Sequence, residues 1–165
     1  MYLKYLYIIM SAIHTFEATQ FVPATLDQVW DFISSPRNLK TITPPFMGFD
    51  IVNKLNSETM YPGIIIAYKV SPVLGIKMNW VTEITHVEDK HYFVDEQKIG
   101  PYSFWHHKHF IREVEGGVEM YDLLHYRAPF GIFGRLANRW IIRRKIEEIF
   151  AYRYKKVEEI FGTKQ

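Results

Sequence analysis

Residues 91–128 read HYFVDEQKIGPYSFWHHKHFIREVEGGVEMYDLLHYRA. Three runs rich in β-branched and aromatic residues, 91–98, 102–114 and 118–128, are separated only by Gly100-Pro101 and by Glu115-Gly116-Gly117. Such short separators join antiparallel neighbours, because a parallel crossover needs a dozen or more residues. Upstream, strand-like runs at 47–54, 63–71 and 76–87 are divided by Tyr61-Pro62-Gly63 and by Pro72 to Gly75, and Glu88-Asp89-Lys90 leads into the quoted stretch. Further back, 14–22 (HTFEATQFV) reads as a strand ended by Pro23. Thr25 then caps a helix whose Leu26, Val29, Trp30 and Ile33 share one face, and Ser34-Ser35-Pro36 breaks it. A second short helix fits 37–42, before Pro44-Pro45. Downstream, Pro129-Phe130-Gly131 precede a long helix over about 133–161. Its Ile142, Ile146, Ile149, Phe150, Val157, Ile160 and Phe161 recur at helical spacing. The expected fold is therefore α+β. Seven antiparallel strands form a curved sheet, two short helices follow strand 1, and one long C-terminal helix covers the concave face. One helix cannot fill so wide a sheet, which leaves a cavity between them.

The 165 residues suit one domain, taken as 14–162. Apolar residues at 48% against 23% charged exclude a disordered chain. Aromatics at 16% exceed what a minimal core needs and point to a lined interior. The absence of cysteine excludes disulfides, a thiolate nucleophile and Cys-ligated zinc. A net charge of +2 is too small to mark a nucleic-acid binder. Residues 1–13 are apolar, but their longest uncharged run is about nine residues, against the roughly 20 a spanning helix requires. They read as an N-terminal extension, with Met1 or Met10 as the start and no stable membrane insertion. A cytoplasmic location is the expectation. GxSxG, GxGxxG and GK[ST] signatures are missing.

Side-chain alternation along 102–111 puts Trp105, His107 and His109 on one face and Phe104, His106, Lys108 and Phe110 on the other. The preceding strand offers Phe93, Asp95 and Gln97 on one face. In one reading, Asp95 accepts an N–H from a histidine and fixes its tautomer, freeing the other ring nitrogen for a ligand oxygen or for proton transfer. In the other, these groups satisfy each other or face water. His107 and His109 at i, i+2 can also reach one metal ion, with His125 or Asp95 as third ligand. Strand histidines are more often plain hydrogen-bonders, so no metal and no cofactor are assigned. Arg153 lies inside the apolar stripe of the last helix and needs a partner, either a sheet carboxylate (Asp95, Glu83 or Asp122) or an anionic ligand head. Segment 129–145 mixes Phe130, Ile132, Phe133, Trp140 and Ile141 with Arg135, Arg139, Arg143, Arg144 and Lys145. It reads as a cover over the cavity mouth with solvated or paired cations, or else as a membrane- or protein-binding surface. Gly131 and Gly134 allow the turn into the helix.

Several strings resemble a known family: Asp95-Glu96-Gln97, Gly100-Pro101-Tyr102, Trp105-His106-His107-Lys108-His109-Phe110, Pro129-Phe130-Gly131 with Gly134, and Ile149-Phe150-Ala151-Tyr152-Arg153. Over about residues 14–162 the chain is similar to the START-like (SRPBCC) superfamily, polyketide cyclase-like and with the helix-grip fold, and most of all to a bacterial subfamily sharing these strings. The resemblance implies the fold more sharply than the activity. Relatives include lipid carriers, hormone receptors, polyketide cyclases, ring-hydroxylating oxygenase subunits and chaperone activators.

The reading taken is a protein, monomeric or weakly dimeric, that binds a small hydrophobic or amphipathic molecule in the cavity. Its candidate contacts are Trp80, Phe93, Asp95, Gln97, Tyr102, Trp105, His107, His109, Phe150 and Arg153, with Phe16 and Trp30 as further lining. The alternatives are a cyclase, dehydratase or isomerase in which His107 or Asp95 moves a proton, and an interaction domain working through 129–145.

Overall fold

Alternation of buried and less buried positions is clearest along His14–Val22, Met78–Glu88 and Gly117–Arg127. A computed structural model describes residues 13–71, 76–129, 131 and 138–163. The strands are β1 (His14–Val22), β2 (Asp50–Ile51), β3 (Ile65–Val70), β4 (Met78–Glu88), β5 (Tyr92–Ile99), β6 (Phe104–Val114) and β7 (Gly117–Arg127). They form one seven-stranded sheet in the order β1-β7-β6-β5-β4-β3-β2, every pair antiparallel. In β7 the alternation is complete: Val118, Met120, Asp122, Leu124 and Tyr126 are buried and the residues between them are not. Register shifts between Val81 and Thr82 and between Ile84 and His86 interrupt the β4–β5 ladder, and such irregularities bend a sheet and strengthen its twist.

Helix α1 (Leu26–Ile33) follows β1. The Thr25 hydroxyl accepts from the Gln28 backbone N–H, and the Gln28 side chain accepts from the Thr25 N–H, closing a capping box. Its Val29, Trp30 and Ile33 are buried. The second short helix is a 3₁₀ turn over Pro36–Lys40. The strand expected over 47–54 is mostly absent. Pro45–Met47 form another 3₁₀ turn, Gly48 is left-handed at φ 57°, and only Asp50–Ile51 pair as a strand. Beyond them the Asn53 side chain continues the edge, accepting from the Ala67 N–H and donating to the Ile65 carbonyl.

Helix α2 (Arg143–Phe161) follows a π-type turn at Asn138–Ile142. The expected start of this helix at 133, with Phe130, Ile132, Phe133, Gly134 and Arg135, lies outside the described residues, as do 1–12 of the N-terminal extension. Ile146, Phe150 and Val157 are the buried face of α2. Phe150 packs on Phe16 of β1 at 4.5 Å between centroids, and the Gln20 side-chain amide donates to the Tyr154 carbonyl at 2.9 Å. No helix among the described residues is long and apolar enough to cross a membrane.

Candidate functional site

Between α2, the short helical turns and the inward faces of β3 to β6 lies a cavity of about 140 Å³. Trp80, Phe93, Tyr102, Trp105 and Phe150 line it, with Leu39, Ile42, Met47, Met60, Ile66 and Tyr68. Asp95, His107, His109 and Arg153 form its polar part, together with Thr43 and Thr82. In the aromatic wall Trp80 meets Trp105 edge to face at 5.1 Å and 89°, and Tyr102 lies tilted 4.8 Å from Trp105. Burial pushes the phenols of Tyr68 and Tyr102 well above their ordinary range. The Tyr68 hydroxyl is bonded to that of Thr82 at 3.0 Å.

The polar part is one connected cluster. Register places Asp95 opposite His107, and Phe93 opposite His109. One oxygen of Asp95, Oδ2, is 2.7 Å from His109 Nε2 and 3.4 Å from His107 Nδ1. The other, Oδ1, accepts the Trp105 indole N–H at 3.0 Å. From β7, Asp122 Oδ1 lies 2.9 Å from His107 Nε2 and 2.9 Å from His109 Nδ1, and 3.4 Å from Arg153 Nη1 of α2. The two imidazoles are 3.7 Å apart between centroids, and His109 stacks on Phe93 at 4.2 Å.

Burial opposes ionisation of both carboxyls, but their partners outweigh it. Hydrogen bonds from His107 and His109 hold Asp95 below the usual carboxylate range, and Arg153 with the same two rings holds Asp122 well below it. Burial likewise opposes a charged His107, yet its bonds to Asp122 and Asp95 raise its affinity for a proton. With His107 charged, the two carboxylates are met by two cations, His107 and Arg153.

Nine of the ten candidate contacts come together around this cavity. Gln97 does not line it. Its amide accepts from the Tyr102 N–H and donates to the Tyr102 carbonyl, which ties the β5–β6 turn. Phe16 and Trp30 are also elsewhere: Phe16 packs beneath α2, and Trp30 lies in the core under α1, edge-on to Phe93. His125 is on the opposite face, beside His106. Both nitrogens of His107 and of His109 contact carboxylates, so a ligand atom reaches a ring nitrogen only where it displaces a carboxylate contact. Of the three acids open to Arg153, Asp122 takes it, and Glu83 pairs with Lys98. Sequence alone does not reveal the central role of Asp122, although it is a lone acid among the inward positions of β7. In the basic segment, Arg143, Arg144 and Lys145 pair with Glu147 and Glu148 one turn on, while Trp140 and Ile141 are exposed.

No family model matches the chain, and no curated protein matches it in sequence. Solved structures do. Protein Ms6760 from Mycobacterium smegmatis is 19% identical with a TM-score of 0.65, over 88% of this chain and 89% of its own. TTHA0849 from Thermus thermophilus is 18% identical with a TM-score of 0.63, over 88% and 95%. The di-domain ARO/CYC protein BexL, from the BE-7585A biosynthetic pathway, is 12% identical with a TM-score of 0.71, over 97% of this chain and 54% of its own. At these identities the likeness establishes architecture. The chain has the helix-grip α+β fold.

Proposed function

We propose that the protein binds a small, largely apolar molecule carrying one hydrogen-bond acceptor, held in the cavity between the sheet and α2. The fold is of a kind that takes small hydrophobic ligands. The observation that carries the reading is Trp80. It lines the cavity and is 5% exposed, yet its indole N–H has no hydrogen-bond partner. A buried donor left unmade costs about 1–3 kcal/mol, and a ligand carbonyl or hydroxyl oxygen would recover much of that. The cavity also sets the scale. A dry cavity of about 150 Å³ accepts a benzene ring, and this one is about 140 Å³. A ligand of about benzene's size therefore matches the room, and a small turn of the Trp80 ring would bring its covered N–H onto the ligand acceptor.

Pyridine and its isostere benzene, which lacks the acceptor nitrogen, test this by calorimetry and thermal shift. Pyridine binds more tightly to the parent protein, and the preference disappears in Trp80→Phe. Absence of saturable binding of either probe, or a preference that survives in Trp80→Phe, overturns the reading.

A further inference from the structure

The Asp95–His107–His109 cluster has the arrangement of a metal centre on both sides of each ring. The near nitrogens, His107 Nδ1 and His109 Nε2, face the same oxygen of Asp95. The far nitrogens, His107 Nε2 and His109 Nδ1, face the same oxygen of Asp122, each at 2.9 Å. Metal-bound histidines characteristically give their outer N–H to a carboxylate, which fixes the tautomer and aims the inner lone pair at the ion. Asp122 is placed to do this for both rings at once. Trp105 holds the opposite side, since its N–H on Oδ1 of Asp95 leaves Oδ2 turned toward the rings. His107 and His109 are 4% and 7% exposed, so this is an interior site, not a chance grouping of surface side chains.

We propose that Asp95, His107 and His109 bind one divalent transition-metal ion, with Asp122 and Trp105 as the outer groups that orient them. Two imidazole nitrogens and one carboxylate oxygen match the donors used by zinc and ferrous iron, and not the all-oxygen shells of calcium and magnesium. A tetrahedral ion with bonds of about 2.1 Å keeps its ligand atoms about 3.4 Å apart. The three donor atoms lie within 4.8 Å of one another. His107 Nδ1 already sits 3.4 Å from the Asp95 oxygen, and the 2.7 Å contact to His109 opens on binding. Three protein ligands leave a coordination position open, and the same residues line the cavity. With neutral rings, the ion, Arg153 and the two carboxylates carry one net positive charge, which suits an oxygen-bearing or anionic group in that position. The proposal does not rest on the organic ligand proposed above, although both would share the cavity.

The chelator-stripped protein, without any organic probe, is titrated with zinc by calorimetry and with cobalt(II) by visible absorption. The expected result is one equivalent of zinc and cobalt d–d bands saturating at the same stoichiometry. Asp95→Asn and His109→Gln each weaken zinc at least tenfold. The outer-face pair His106 and His125, with Glu96 3.9 Å from His106, is the competing surface site. The double variant His106→Gln/His125→Gln therefore keeps parental affinity. If the interior variants fail to fold, the cobalt titration of that double variant decides. Absence of saturable one-equivalent binding, or binding kept in Asp95→Asn and lost in the outer-face double variant, overturns the proposal.

Discussion

Asp122 of β7 and Arg153 of α2 meet at 3.4 Å between Oδ1 and Nη1, 31 residues apart in the chain. The contact joins β7, the neighbour of edge strand β1, to the helix that covers the sheet, and its side chains are only 10% and 17% exposed. Removing the guanidinium takes away the permanent cation and leaves the buried carboxylate with only the two imidazoles as partners. Arg153→Met is expected to lower stability by about 3 kcal/mol in urea unfolding. The double variant Arg153→Met/Asp122→Leu loses less than the two single changes together, because no carboxylate is left stranded.

Trp105→Phe keeps a ring against Trp80 and Tyr102 but removes the N–H that Asp95 Oδ1 accepts. The cost is about 1–3 kcal/mol from the unmet carboxylate oxygen, larger than the lost area alone would give. Urea unfolding beside Trp140→Phe, an exposed tryptophan at 68%, checks it; Trp140→Phe stays within about 0.5 kcal/mol of the parent.

Gly100→Ala is expected to destabilise although the position is on the surface. A β-carbon there would run into the Gln97 side chain, which is fixed by two bonds to the Tyr102 backbone. The side chain yields only by giving up those bonds, at about 1 kcal/mol or more. In a Gln97→Ala background the added methyl is tolerated, so thermal melts of the four-member cycle show strong non-additivity.

His14 gives a pH signature. Burial first, and Arg143 second, hold its ring below the usual histidine range, and its Nε2 has no partner. The unfolded chain therefore takes up this proton more readily than the folded one. The contribution of His14 is fully present above the unfolded value of about 6.5 and is lost as pH falls through it. His14→Phe keeps a ring against Tyr126 and removes that loss. Its melting temperature falls less than that of the parent between pH 7.5 and pH 5.5.

The long strands were legible because alternation and short turns leave little choice of pairing, and β5 to β7 follow directly. The strand expected over 47–54 was not, because Pro44-Pro45 and the left-handed Gly48 outweigh the β-branched residues around them. Alternation also put Trp105, His107 and His109 on one face. It could not show that Asp122 would sit opposite both rings, since that needs the β6–β7 register, His109 against Asp122 and His107 against Leu124. Lining residues such as Leu39, Met60 and Tyr68 come from separate turns and strands and carry no local mark of their role. Gln97 misled for a related reason: an amide within reach of a cavity reads as a ligand group until its turn partner is known.

Arg153 also keys the helix to its seat. Sliding α2 by one turn, about 5.4 Å, would bring Ile149 or Val157 against Asp122 and take away its guanidinium, leaving only the two imidazoles on the sheet. Greasy surfaces alone tolerate such slippage, since one branched side chain substitutes for another at little cost. A single guanidinium in the stripe removes that degeneracy, so the depth of the hollow is set by a charge and not by the fit of hydrocarbon.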